Sequence, residues 1–334
     1  MSKPEVDNGS PLGLDVGTSR IVAARSVEKS PRFESQLNAF ITLPNSNLTA
    51  SLLEREGVFH QVVGDEIVVA GNDAQKFAEV FHVETRRPMQ GGVLNPQEPH
   101  SLMVIRNIIT KMLGKAAVAG RKVRFSIPAP SAPGGESAIA YHEASIRSIL
   151  TELGYDAKPI EEGLAVVFGE MGFSNYTGIG ISCGSGLCNV CFAVLSVPVI
   201  HFSVPKAGDF IDTQSASVIG ELSTRVRVQK EQGFRLNGMS ADRAQNALTV
   251  YYDDVIQTLV DTMRTTIAST QKLPKLEHAV PVVISGGTSA PQGFLERFTA
   301  VLKSQEFPIR LSEVKAPEDP LSSTARGALM AAMC

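Results

Sequence analysis

The stretch Pro11–Ala24, PLGLDVGTSRIVAA, decides how this chain is read. Apolar, β-branched residues on both sides of a Gly-Thr-Ser turn predict two strands joined by a tight bend. The pattern returns at Gly178–Val194, GIGISCGSGLCNVCFAV, where Gly13 and Gly17 fall on Gly180 and Gly184 and Thr18 falls on Ser185. All three matches share an offset of 167, half of the 334 residues. A later pair follows the same plan. Lys122–Ile127 (KVRFSI) runs into Pro, Ala and Gly and then a helix from about Glu136 to Leu153, while Val280–Ser285 (VPVVIS) runs into Gly-Gly-Thr-Ser and a helix from about Gln292 to Ser304. The chain therefore reads as two related halves, each a mixed α/β lobe with helices covering a sheet.

Further helices are predicted over Pro99–Leu113 and Ala241–Thr270, where apolar residues recur at helical spacing, the second with room for one break. Arg32–Asp73 is less regular. With Pro44-Asn-Ser-Asn and short strands at Gln61–Val63 and Ile67–Val69, it reads as a small insertion on the first lobe.

Composition excludes several classes. Charged residues at 19% and hydrophobic ones at 43% describe a globular chain rather than a disordered one. A net charge of -3 gives no electrostatic reason to expect nucleic acid or an anionic membrane as partner. No apolar run reaches the ~18 residues of a membrane span. The polar start, Met1–Pro11, resembles neither a signal peptide nor an amphipathic anchor, so a cytoplasmic protein with no intrinsic membrane segment is expected.

Three local patterns suggest chemistry that their context opposes. Gly180-Ile-Ser182-Cys-Gly184 spells a G-x-S-x-G nucleophile elbow, with His201 or His278 as the base, but that motif needs a helix after its turn and here a strand follows. Cys183, Cys188 and Cys191 have the spacing of a [2Fe–2S] loop, with Cys334 as the fourth ligand. On one strand, however, Cys188 and Cys191 point to opposite faces, which favours buried thiols. The six histidines show no zinc-ligand spacing, and no G-x-x-x-x-G-K-[ST] is present.

The repeated bend is what remains. Gly, Thr and Ser in a tight turn present backbone N–H groups and small hydroxyls on a concave side, which suits a phosphate chain. Two such bends from two lobes can grip one triphosphate from opposite sides. Asp15, at the mouth of the first, would repel bare phosphate unless a hydrated Mg²⁺ lay between them, a metal role through water.

With these residues in place, the sequence resembles the actin, Hsp70 and sugar kinase superfamily. Gly13-Leu-Asp15-Val-Gly17-Thr18-Ser19 is similar to its phosphate-1 signature, and Val282–Ser289, VVISGGTS, to its adenosine motif. Ile160–Val166 and Ser323–Ala328 resemble its two connecting helices. Bacterial actins of the MreB and MamK type are resembled more closely. Arg87–Leu94 is similar to their P-L-x-D-G-V segment, Lys206–Asp212 to A-G-D-x-x-D, and Lys230-Glu231 to the pair that faces the adenosine moiety.

The resemblance implies a two-lobed α/β fold, ribonuclease H-like and duplicated, with a central nucleotide cleft for ATP or ADP and Mg²⁺. Lobe I would be residues 1–160 plus 322–334, with an insertion at about 32–80 as subdomain IB. Lobe II would be 161–321, with a reduced subdomain IIB at about 205–250. Gly17, Thr18 and Ser19 would hold the phosphates from one side, and Gly184, Ser185 and Gly186 from the other. Lys230, Glu231, Gly286, Gly287 and Thr288 would line the adenosine. The weaker alternatives are a solvated charge run for Lys230-Glu231 and a simple strand-to-helix turn for Gly286-Gly287.

Two departures bear on catalysis. Ser182 stands where the family has a phosphate-2 acid, which leaves ATP hydrolysis weak or lost. For the family's water-positioning Glu, counted from the strand end Ile127-Pro128, the nearest match is Glu136, equally readable as an acid favoured in the first turn of a helix. The implied function is an ATP-binding cytoskeletal protein that assembles with itself into nucleotide-regulated filaments, alongside possible cytoskeletal or organelle proteins as partners. The alternative is a non-polymerising pseudo-ATPase scaffold. A small-molecule kinase on the same fold is a third reading, opposed by the lack of an acceptor-site insertion.

Overall fold

A computed structural model describes residues 9–27, 30–131, 136–238 and 240–334. The polar start up to Asn8, and Ala132–Gly135 before Glu136, lie outside the described residues.

The first half begins with β1 (Leu12–Val16), β2 (Arg20–Val27) and β3 (Ser30–Leu37). There follow β4 (Phe40–Pro44), α1 (Asn47–Arg55), β5 (His60–Val63), β6 (Glu66–Ala70) and α2 (Asn72–Phe81). A short hairpin of β7 (Met89–Gln90) and β8 (Val93–Leu94) leads to α3 (Ser101–Leu113), β9 (Arg121–Ile127), α4 (Glu136–Glu152) and β10 (Tyr155–Glu161). After α5 (Glu162–Glu170), the second half runs β11 (Gly178–Cys183), β12 (Cys188–Val194), β13 (Val197–Val204), α6 (Gly208–Ile219), α7 (Ser223–Gly233) and α8 (Arg243–Ser269). It ends with β14 (Val280–Ser285), α9 (Phe294–Lys303), β15 (Leu311–Lys315) and α10 (Ser323–Met333).

The two main sheets have the same topology. One is ordered β10-β9-β1-β2-β3 and the other β15-β14-β11-β12-β13. In each, the first three strands pair antiparallel and the last two add in parallel on the other side. A duplication read from two glycine bends thus extends to every strand of both sheets.

Strand alternation explains the first glycine of each repeat. On β1, Leu12, Leu14 and Val16 face the lobe I core, among residues such as Ile105 and Ile109 of α3 and Ile146 of α4. Gly13 and Asp15 share the other face. A Cβ on Gly13 would lie 2.2 Å from the Ala325 carbonyl oxygen of α10, so this helix can sit on the sheet only over glycine. Gly180 does the same for α5, where a Cβ would lie 2.5 Å from the Gly163 carbonyl oxygen. One residue pair further along, on those same faces, stand Asp15 and Ser182, again 167 positions apart.

One sequence expectation needs correction, and one left open is now settled. β3 belongs to the main sheet, paired with β2 along its whole length, so the separate three-stranded sheet β4-β6-β5 starts at Phe40 and not near residue 32. An edge strand reading SPRFESQL, mostly exposed, lacks the apolar alternation that marks a buried one. α8 is unbroken, because its apolar stripe continues from Ala247 to Ile267 with no Gly or Pro inside it. Its start is fixed by Asp242, whose carboxylate accepts the Ala244 N–H at 2.7 Å. No helix among the described residues is long and apolar enough to cross a membrane.

Candidate functional site

The two repeated bends face one another across a cleft of about 540 Å³ between the lobes. In the first bend, the Gly17 N–H closes the turn on the Arg20 carbonyl at 3.0 Å. The Asn38 side-chain amide braces the Gly17 carbonyl at 2.9 Å, and Thr18 Oγ1 accepts from the Gly92 N–H at 3.1 Å. In the second bend, the Gly184 N–H donates to the Leu187 carbonyl at 2.9 Å. The start of α6 holds this bend from behind, through Gly208 N–H to the Gly184 carbonyl and Asp209 N–H to the Ser185 carbonyl.

The bends come close enough that only glycine fits between them. A Cβ on Gly186 would stand 2.6 Å from Thr18 Oγ1 and 2.7 Å from the Gly92 nitrogen. Ser185 Oγ is buried with no hydrogen-bond partner among the described residues. A hydroxyl left without a partner on the wall of a cleft is a donor that a phosphate oxygen would satisfy. Cavity volume, glycine cradle and orphan hydroxyl together fit a polyphosphate.

Of the residues singled out from sequence, Asp15, Gly17, Thr18, Ser19, Gly184, Ser185, Gly186, Lys230, Glu231, Gly286, Gly287 and Thr288 all line this cleft. Lys230 is not free: its Nζ lies 2.7 Å from Asp212 Oδ1, and both side chains are almost fully buried. Thr288 Oγ1 donates to the Gly184 carbonyl at 2.6 Å, tying the turn after β14 to the second phosphate bend.

Glu136 is the exception. It is exposed at the first turn of α4 and outside the cleft, because α4 turns His142, Ile146, Ile149 and Leu150 inward. The floor of the cleft holds Glu162 instead, the first residue of α5. Its Oε2 accepts from Ser182 Oγ at 3.0 Å, so a carboxyl group stands beside the position where the family carries its phosphate-2 acid. Asp15 Oδ1 accepts from Ser126 Oγ at 2.7 Å, and Ser126 Oγ in turn accepts the Val16 N–H.

Burial pushes the Glu162 carboxyl up to about 8, with the negative charge of Asp15 adding to the rise and the bond from Ser182 opposing it. Burial likewise lifts Asp15 to about 6, against the Ser126 hydrogen bond. Two carboxyls facing one site and spread apart in acidity form a pair that a cation or a proton transfer can exploit. No group of three or more His, Cys, Asp or Glu among the described residues is placed to hold a metal alone. A Mg²⁺ here would depend on phosphate oxygens and water with Asp15 nearby, which is how this ion usually binds.

The rival chemistries are not assembled. Ser182 lies in a strand–turn–strand, bonded to Glu162 rather than to histidine. His201 Nδ1 is 2.7 Å from Glu161. Cys183, Cys188 and Cys191 are buried free thiols, Cys183 and Cys188 opposite each other across β11 and β12. Burial raises Cys191 to about 12, the state of an inert thiol.

Comparison with solved structures returns bacterial actin-like proteins over nearly the whole chain. The subunit of the MamK double helical filament superposes with a TM-score of 0.72 at 20% identity, covering 96% of this chain and 98% of that one. MreB 5 of Spiroplasma citri bound to AMPPNP gives 0.68 at 13% identity, covering 95% and 94%. The ethanolamine utilization protein EutJ from Carboxydothermus hydrogenoformans gives 0.54 at 16% identity, covering 96% and 88%. The fold is therefore the two-lobed actin-like ATPase fold. No curated protein matches the sequence. A family model described as Volactin matches residues 11–332.

Proposed function

The chain belongs to the Volactin family, and on that premise we propose that it is an actin-like cytoskeletal subunit that binds Mg-ATP between its lobes and assembles with itself under nucleotide control. The observation that carries this reading is the pair of bends meeting at Thr18 and Gly186. Thr18, Ser19, Ser185 and the backbone of both turns would hold the phosphates. Lys230, Glu231 and Gly286–Thr288 would line the nucleoside. Mg²⁺ would neutralise phosphate charge next to Asp15 and favour the ionised form of both floor carboxyls.

Glu162 takes the water-positioning role that was expected of Glu136. At neutral pH its raised pKa keeps it largely protonated in the nucleotide-free protein. In its ionised form, which a cation bound by the phosphates would favour, the Glu162 carboxylate could accept a hydrogen bond from a water in front of the terminal phosphate. Slow hydrolysis is thus retained despite Ser182. Self-assembly is supported by the likeness to a MamK filament subunit, through contacts that repeat head to tail without closing into a ring.

A second reading, a nucleotide-binding scaffold that does not assemble, is favoured by one feature. Among the described residues, 205–250 carry α6, α7 and the first turns of α8 but no strand of a sheet, whereas lobe I carries a whole three-stranded one. Electron microscopy and sedimentation of purified protein with Mg-ATP, ADP and no nucleotide separate the two. Filaments that depend on nucleotide and are lost in Asp15→Ala are expected. Protein that binds ATP yet stays monomeric in all three conditions supports the scaffold, and identical behaviour of wild type and Asp15→Ala removes the cleft from the account.

A further inference from the structure

Arg87, just before β7, reaches both phosphate bends. Its Nη2 donates to Ser19 Oγ of the first bend at 3.2 Å, and its Nη1 donates to Asp209 Oδ1 of α6 at 2.6 Å. Asp209 then donates its own backbone N–H to the carbonyl of Ser185, in the second bend, at 2.7 Å. A single path, Ser19–Arg87–Asp209–Ser185, therefore runs from one bend to the other past Arg87 on the wall of the cleft, and its one ionic link crosses between the lobes.

We propose that the Arg87–Asp209 pair is a clasp that sets the gap between the two bends and couples a bound triphosphate to closure of the lobes. This rests on the nucleotide reading above. A hydroxyl has one donor and two acceptor positions, so Ser19 Oγ can give its proton to a phosphate oxygen while still accepting from Arg87. Each bond in such a chain polarises the next, so the occupied site holds Arg87 more firmly toward Asp209 than the vacant one. Coupling of this kind is reciprocal: what the nucleotide adds to closure, closure adds to nucleotide affinity, and such affinity differences appear chiefly as slower escape.

The surrounding charges give the pair its consequence. Arg87 is mostly buried, at 19% side-chain exposure, and a second guanidinium, that of Arg227 on α7, is close enough for each to feel the other's charge. Asp212 and Glu231 also face Arg227. Removing the Asp209 carboxylate would leave two arginines facing each other across the lobe boundary with one acid fewer between them. A fixed planar guanidinium is required, since a lysine is a point charge and cannot serve two acceptors in the same geometry.

The test is a double-mutant cycle on the dissociation rate of a fluorescent ATP analogue, with Arg87→Ala, Asp209→Asn and the double variant. Small-angle scattering with and without Mg-ATP serves as a second readout. Each single variant is expected to release nucleotide about fivefold faster or more. The double variant should be no faster than the worse single one, and the compaction seen in wild type on adding ATP should shrink in all three. Wild-type release rates in the singles, or effects that simply multiply in the double, would overturn the clasp while leaving nucleotide binding intact. Wild-type protein that binds no nucleotide would overturn the functional reading and the clasp with it.

Discussion

Replacing Glu162 with glutamine is expected to cut phosphate release from Mg-ATP by about a hundredfold or more while leaving nucleotide binding in place. A positioned carboxylate that takes part in proton transfer contributes on the order of 10²–10⁴ in rate, and Gln keeps the shape while losing that capacity. Ser182 Oγ donates to Glu162 at 3.0 Å, and an amide oxygen can accept the same bond, so the floor should stay ordered. The same substitution should make the nucleotide-free protein more stable in mild alkali. Glu162 is raised from 4.5 to about 8, so between those values the folded chain holds a proton that the unfolded chain has lost. Stability therefore falls as pH rises through that window and levels off above it. Gln removes this loss. Thermal melting at pH 5 and pH 9, beside a phosphate-release assay, reads both effects. Glu136→Gln is the contrast: exposed on α4, it should leave turnover unchanged. If Glu136→Gln abolishes turnover and Glu162→Gln does not, the floor has been assigned to the wrong acid.

Valine at Gly186 is expected to weaken ATP binding by about tenfold to a hundredfold, with little loss of stability in the nucleotide-free chain. Its Cβ would meet Thr18 Oγ1 at 2.6 Å and the Gly92 nitrogen at 2.7 Å, both on the opposite lobe. Overpacking of this sort costs about 1–3 kcal/mol, and 1.4 kcal/mol is tenfold in affinity. Because the clash lies between lobes, an open cleft relieves it. The cost therefore falls on the closed, nucleotide-bound state. Gly172→Ala, where the nearest atom is 4.0 Å from the added Cβ, is the neutral control. Isothermal titration of the three proteins with Mg-ATP measures it. Equal affinities in all three would mean that the bends do not close on the ligand.

What could be read from sequence was local and repeated. Two hairpins of five to eight residues per strand carry their own turn chemistry, so Gly17, Thr18, Gly184 and Ser185 stand out without any tertiary contact. What escaped depends on topology. Glu162 lies 147 positions from Asp15 and reaches it only because β10 is parallel to β9, which is parallel to β1, so that the chain leaves β10 at the same end of the sheet as Asp15. Counting along the strand end at Pro128 led to Glu136 because sequence distance ignores that stacking. Arg87 and Asp209, 122 residues apart, had no signal beyond membership of two loosely matched segments. Sequence alone puts the start of β3 in the insertion because an exposed edge strand has no core face to reveal it.

A structure of the chain with Mg-AMPPNP tests the central claim most directly. The account predicts one nucleotide whose phosphates contact Thr18 or Ser19 on one side and Ser185 or Gly186 on the other, with Arg87 still on Asp209. A nucleotide held by one bend alone, or density for it anywhere outside this cleft, would contradict it.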